Sequence, residues 1–165
     1  MTVPSIRTEL RPGDVGEITR LHGVLYRDEY GWDEHFEAYV AEALGRFVLD
    51  ANPERGRIWI AELDDSIVGC IAIVRASADE AQLRWFLVTP AARGTGLGRR
   101  LINEAMTFCR DSAYQRVFLW TVSKLTAAAQ LYRSCGFVLT ESKTHEIWGQ
   151  KLTEERYDAV ISPDA

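Results

Sequence analysis

Apolar positions recur along this chain at two spacings, near 3.6 residues and near 2, and their alternation predicts the elements. Ser5–Leu10 reads as a strand closed by Pro12-Gly13. From Asp14, whose side chain suits a helix N-cap, Val15, Ile18, His22, Leu25 and Tyr26 recur at helical spacing until Gly31. Phe36, Tyr39, Val40, Ala43, Leu44 and Phe47 form the apolar face of a second helix. Arg57–Leu63 and Ile67–Arg75 read as strands around an Asp64-Asp65 turn, a hairpin signal. Gln82–Val88 is a further strand, ended by Pro90. Gly96–Arg110 reads as a helix with Leu97, Leu101, Ile102, Ala105, Met106 and Cys109 inward. Val117–Val122 is an apolar strand, and Leu125–Cys135 an Ala-rich helix stopped by Gly136, with Ser123 placed to cap it. Phe137–Leu139 and Ile147–Leu152 finish as an antiparallel pair, and residues from about Asp158 read as a loose tail. The order predicts an α/β sandwich: a mixed, mostly antiparallel sheet of about seven strands flanked by four helices. One domain is expected, with its core over about residues 5–155.

Composition narrows the function classes. The 165 residues, 47% apolar and 26% charged, have the balance of one globular domain with its own core. No apolar run approaches the roughly 18 residues of a membrane span, and Met1–Ser5 lacks the charged and apolar blocks of a secretory signal. Cys70, Cys109 and Cys135 are far apart and form no CxxC. Neither a disulfide framework nor a metal site is therefore expected, and a cytoplasmic location is. A net charge of −5 argues against a general affinity for nucleic acid, which needs clustered cations. Anionic ligands remain open if backbone amides hold them.

The segment Leu87–Leu101 carries the main chemical signal. A buried strand ends, Gly94, Gly96 and Gly98 follow at alternate positions, and an amphipathic helix begins at once. Glycines let the backbone approach a ligand, and a helix start offers free N–H groups to a pyrophosphate. Arg93, Arg99 and Arg100 add positive charge. A dinucleotide fingerprint would need a third glycine where Arg99 stands, and a P-loop would need Lys after Gly98. A glycine turn that binds nothing is the plain alternative.

These residues resemble the GNAT acetyltransferases. The family's pyrophosphate motif, [Q/R]-x-x-G-x-[G/A], is met by Arg93, Gly96 and Gly98, with Val88-Thr89-Pro90 just ahead. A second signature is met by Ala128, Leu131-Tyr132 and Gly136-Phe137. The chain also resembles the acetyltransferase half of MarR–acetyltransferase fusion proteins at His22–Tyr26, Tyr30-Gly31-Trp32 and Leu119-Trp120-Thr121. The resemblance implies the acyl-CoA N-acyltransferase fold and acetyl-coenzyme A as cofactor, bound by Phe86, Leu87, Val88, Arg93, Gly94, Thr95, Gly96, Leu97, Gly98, Arg99, Leu125 and Ala128. It implies that strands 82–88 and 117–122 splay apart around the pantetheine arm. It gives the Val88 N–H to the thioester oxygen and makes Tyr132 the acid for the leaving thiolate.

Two departures accompany the likeness. Many relatives carry Glu at positions matching Gln82 or Arg84, so no base is evident; water, Glu29 or His145 are the options. Leu125 stands where many have Asn. The acceptor, a small-molecule amine or a peptide amine, is expected near Tyr26, Asp28, Glu29, Tyr30, Trp32, Glu34 and His35, with Arg84 and His145. That acidic and aromatic mixture suits a cation. A different acyl donor and a non-catalytic acyl-CoA sensor remain alternatives, and a homodimer is a further expectation.

Overall fold

A computed structural model describes residues 2–161. Seven strands and four helices follow in the expected order: β1 (Ser5–Arg7), α1 (Asp14–Tyr30), α2 (Glu34–Leu49), β2 (Arg57–Leu63), β3 (Ser66–Arg75), β4 (Glu80–Val88), α3 (Leu97–Asp111), β5 (Arg116–Val122), α4 (Thr126–Ser134), β6 (Val138–Ile147) and β7 (Gln150–Val160). The strands form one sheet in the order β1-β2-β3-β4-β5-β7-β6. Every pairing is antiparallel except β4 with β5. Apolar side chains cover both faces. One core layer joins the sheet to α3 and α4 through Leu101, Ile102, Leu119 and Phe137. The other joins it to α1 and α2 through Ile18, Val40, Leu44, Ile60 and Leu152.

Two irregularities in the middle of the sheet position the site. Pairing of β3 with β4 slips between Cys70 and Ala72, where Trp85 takes φ of 49°. The Cys70 thiol donates to the Trp85 carbonyl at 3.1 Å and holds this bulge. One extra residue reverses the side-chain alternation. Ala81 and Leu83 therefore face the α3–α4 layer while Leu87 faces α1–α2, and Phe86 and Val88 return to the α3–α4 side. The second irregularity is an ending. β4 pairs with β5 only at Glu80–Arg116, Ala81–Val117 and Gln82–Phe118. β5 continues against β7 as far as Val122–Glu154, so the two central strands diverge.

Several boundaries differ from the sequence reading. β1 ends at Arg7 because its guanidinium turns into Asp14, at 2.7 and 2.9 Å, and into Glu62 at 2.7 Å. Asp14 is thereby the first residue of α1 and not its cap; Gly13, at φ of 99°, precedes it. Tyr39 is 48% exposed, outside the buried face of α2. Ser123 does not cap α4; Leu125 occupies that position, without a side-chain bond. The last two strands are far longer than their apolar segments, because β6 is an edge strand with little buried surface and so little periodicity. Asp158–Val160 belongs to β7, and Ile161, 9% exposed, donates its N–H to Gln115. The loose tail expected from Asp158 is thus ordered strand up to that point; residues 162–165 lie outside the described residues.

Asp14 ties α1 to the sheet edge. Hydrogen bonds from Arg7, with the backbone N–H of Arg11, hold its carboxyl below the usual range against the opposing pull of burial. A group depressed in the folded state contributes fully above its unfolded pKa, near 3.9. That contribution is lost as pH falls through the folded value. Asp14→Asn should cost about 2 kcal/mol at pH 7. In thermal melts the gap to wild type should shrink below about pH 4. A gap constant from pH 7 to 2 would show that charge is not its source.

Candidate active site

Where β4 ends, Pro90–Ala92 makes a single 3-10 turn, and Gly94 and Gly96 follow at φ of 76° and 84°. These left-handed positions let the chain reverse and start α3 with its first N–H groups facing open space; no atom lies within 4 Å of a Cβ built on either glycine. Gly98 has a different reason. Its Cβ would meet Phe86 and Leu131 at 3.2 Å, so α3 approaches β4 and α4 closely there. The cavity around the loop, about 450 Å³, is lined by Phe86, Leu87, Val88, Arg93, Gly94, Gly96, Leu97, Gly98, Arg99, Leu125 and Ala128. Thr95 is not in this wall: its hydroxyl donates inward to the Ala92 carbonyl at 2.6 Å.

The guanidinium groups near the loop are each held. Arg93 donates from Nε to the Val88 carbonyl at 3.1 Å and from both terminal nitrogens to Glu29, at 3.1 and 2.5 Å. Arg99 reaches Ser134 at 3.0 Å, and Arg100 turns away to the Pro4 carbonyl. The Val88 amide follows from sheet register. Thr89 N–H bonds to Val68, so by alternation the N–H and C=O of Val88 point away from β3, into the cleft beside β5. The Arg93 contact to the Val88 carbonyl agrees with that direction.

A second, smaller cavity of about 120 Å³ adjoins the first at Tyr26, Phe86 and Leu125. Its walls are aromatic, with Trp32, Phe36, Trp85, Trp120 and Trp148, and its polar members include Gln82, Arg84, Thr121, Tyr132 and Glu154. Tyr132 is 6% exposed, and burial pushes its pKa well up, so it keeps its proton at neutral pH. His22 also lines this cavity. Its Nδ1 lies 2.8 Å from the Ile18 carbonyl, which assigns the proton to Nδ1, and burial lowers its pKa to about 4. It is neutral.

The acceptor residues expected from sequence are redistributed. Trp32 and Arg84 line the second cavity, and Tyr26 borders both. Glu29 and Tyr30 instead line the loop cavity, because one turn of α1 beyond Tyr26 points them at Arg93. Asp28, Glu34 and His35 line neither. His145 stands behind Glu154, with its Nε2 at 2.5 Å from that carboxylate. Glu154, Trp120 and Trp148 were not singled out as site residues from the sequence: Trp148 lay inside the expected strand Ile147–Leu152 but instead turns the chain between β6 and β7, and Glu154 lay beyond that strand's expected end. The one available signal was the charged run Glu154–Arg156 between apolar Leu152 and Tyr157.

The model of the acetyltransferase (GNAT) family matches residues 18–137. The chain belongs to that family. Residues 18–137 are thus an acetyltransferase domain of the GNAT type. Among curated relatives, an amino-acid acetyltransferase of Mycobacterium tuberculosis is 31% identical over 105 residues, covering 62% of this chain and 53% of that protein. Human N-acetyltransferase 8 is 26% identical over 72% of this chain and 55% of its own length. This chain thus spans about half the length of these relatives. Among solved structures, an acetyltransferase from Streptococcus agalactiae superposes with a TM-score of 0.79 at 24% identity, covering 96% of this chain and 98% of that one. A Salmonella typhimurium acetyltransferase solved with acetyl-CoA gives 0.76 at 17% identity, covering 99% and 97%. At these identities the likeness is one of fold.

Two expectations follow from the loop. Gly96→Asn keeps a residue that tolerates positive φ but fills open space, so coenzyme A affinity should fall about tenfold or more while the melting point moves little. Unchanged affinity in calorimetric titration would remove the loop from the binding site. Glu29→Gln frees Arg93 from its counter-charge, so coenzyme A should bind about threefold tighter at low salt, an effect that fades as salt rises. A raised acceptor KM with unaltered coenzyme A affinity would return Glu29 to the acceptor side.

Proposed function

We propose that this chain transfers acetyl from acetyl-coenzyme A to the primary amine of a small molecule by direct attack. The observation that carries the reading is the open cleft between β4 and β5, which joins a glycine-loop cavity to an aromatic one. A pantetheine arm lying along β4 takes up backbone groups that β5 leaves unpaired. Its phosphates meet the N-terminus of α3, where free N–H groups and the dipole favour anions. The thioester carbonyl then lies at the Val88 N–H, which stabilises the oxyanion as the amine adds. As the C–N bond forms and the C–S bond breaks, the electron pair leaves on sulfur and Tyr132 donates its proton there. Burial disfavours both anions, the phenolate and the thiolate, so the raised pKa of Tyr132 does not forbid the transfer.

The acceptor side supports a small cationic amine or an amino-acid-like molecule. The aromatic cavity is about a quarter the volume of its neighbour, at 120 against 450 Å³. Its indole and phenol faces attract a cation, and Glu154 is the carboxylate in its wall. A cytoplasmic setting belongs to the same reading, supported by the free thiols of Cys70, Cys109 and Cys135. So does self-association, through the exposed Val138 and Leu139 of edge strand β6. Kinship with the acetyltransferase half of MarR fusions also stays within it, since His22, Tyr26 and Trp32 fall at the second cavity.

Thiol release measured over a panel of amines tests the reading. Tyr132→Phe should lower kcat by about 10²–10⁴ while leaving coenzyme A affinity nearly unchanged. Wild-type turnover by that variant would make Tyr132 a packing residue between Phe86, Phe137 and Tyr157.

A further inference from the structure

Acetylation leaves a proton problem that neither the loop nor Tyr132 solves. An alkyl amine with a pKa near 10.4 arrives protonated at neutral pH and cannot attack. The nitrogen must shed two protons in all, one before attack and one as the tetrahedral intermediate collapses. One of them ends on the sulfur through Tyr132, and the other has to reach bulk water. β4 offers only Gln82 and Arg84 at the cavity, and neither is a base. Among the residues lining the aromatic cavity, Glu154 is the sole carboxylate. His22 is the sole imidazole, and burial, which brings its pKa to about 4, prevents it from storing a proton at neutral pH.

Glu154 has an outlet that His22 lacks. His145 on β6 pairs with Leu152 on β7, which puts His145 diagonally across from Glu154 on one face of the hairpin. The imidazole Nε2 lies 2.5 Å from Glu154 Oε2. The carboxylate side chain is 15% exposed and the imidazole 40% exposed, so the pair runs from cavity wall to solvent. The charged neighbours are few. Lys143, directly opposite on β6, approaches the same oxygen at 3.8 Å, and Val122 faces Glu154 from β5. Across the cavity stand Gln82, Tyr26, neutral His22 and Arg84, the last donating to the Tyr39 hydroxyl at 2.8 Å.

We propose that Glu154 is the base of this reaction, accepting the acceptor's ammonium proton, and that His145 is a positioning residue that passes it to solvent. The inference rests on the amine-acetylation reading. Before attack, the N–H bond of the ammonium breaks and its proton moves to the Glu154 carboxylate, leaving the lone pair on nitrogen. In the resting pair Nε2–H of His145 donates to the ionised carboxylate; once Glu154 is protonated, the half-exposed imidazole changes through solvent to its Nδ1–H tautomer, accepts the Glu154 proton at Nε2 and gives up Nδ1–H to water. The freed amine adds to the thioester carbonyl, and Glu154 is again ionised for the next acceptor.

Steady-state kinetics over an amine panel from pH 6 to 9.5 provides the test, with wild type, Glu154→Gln and His145→Ala compared. Glu154→Gln should lose about 10²–10³ in kcat/KM for the amine at pH 7. Its remaining turnover should rise about tenfold per pH unit, because solvent then has to deprotonate the amine. The wild-type profile should be flatter. His145→Ala, a change on a half-exposed strand that leaves the core intact, should slow turnover about tenfold in dilute buffer and recover with added imidazole. Coenzyme A affinity and melting point, measured on each variant, should stay near wild type. Wild-type turnover of amines that survives Glu154→Gln with an unaltered pH profile would overturn the dyad and leave the acetylation reading standing. No imidazole recovery in a folded His145→Ala would remove His145 from the path. A wild-type protein that acetylates no amine in the panel would overturn the reading itself and the dyad with it.

Discussion

The parallel pairing of β4 with β5 stops at Gln82 and Phe118, and the rest of the site depends on how that opening is kept open. Backbone groups of β4 beyond Gln82 lose a partner strand on one edge, at about 1–3 kcal/mol for each group left buried and unpaired. Both strands are braced from outside. β4 is held by β3 through a bulge that the Cys70 thiol secures, and β5 by β7 along its whole length. Arg93 takes up the Val88 carbonyl, while the Val88 N–H is left facing the cleft. A sheet closed at this point would be a better sheet and would have no site.

On the proposed reading, anion recognition in this acidic chain is local. A net charge of −5 gives no general attraction to phosphates. What the chain offers instead is a set of fixed dipoles at the start of α3 and guanidinium groups held by neighbouring residues, Arg93 by Glu29 and Arg99 by Ser134. Held groups lose less conformational entropy when a ligand arrives. Glu29 also sets the net charge at the loop cavity, which couples α1 to it.

The aromatic cavity depends on contacts between the two ends of the chain. Trp148 in the β6–β7 turn packs tilted against Trp32 and edge-on against Phe36, with ring centres 4.7 and 4.8 Å apart. Asp33 N–H donates to the Trp148 carbonyl, and the Gln150 amide to the Tyr30 carbonyl at 2.7 Å. These bonds clamp the link between α1 and α2 against the last hairpin. They therefore carry Glu154 and His145 to the side of the cleft opposite Gln82 and Arg84.

Element order and the glycine turn could be read from residues near one another in sequence, because each rests on local physics, whereas Tyr132 was singled out only by the likeness of Leu131-Tyr132 and Gly136-Phe137 to a family motif. Alternating or helical apolar spacing reports which face is buried, and Gly94 and Gly96 report a chain reversal before a helix. Most of the edge strand β6 beyond Leu139 escaped that reading, since a strand with nearly every side chain exposed has no burial to impose a period. Asp14 looked like a cap because its type suits one, yet a guanidinium seven residues earlier held it more firmly. The division of Tyr26, Glu29, Tyr30 and Trp32 between two cavities, and the meeting of Glu154 with His145, followed from register across β6 and β7 and from where α1 lies on the sheet. Sequence spacing fixes neighbours along one element. Only tertiary packing decides which elements face each other across a cleft.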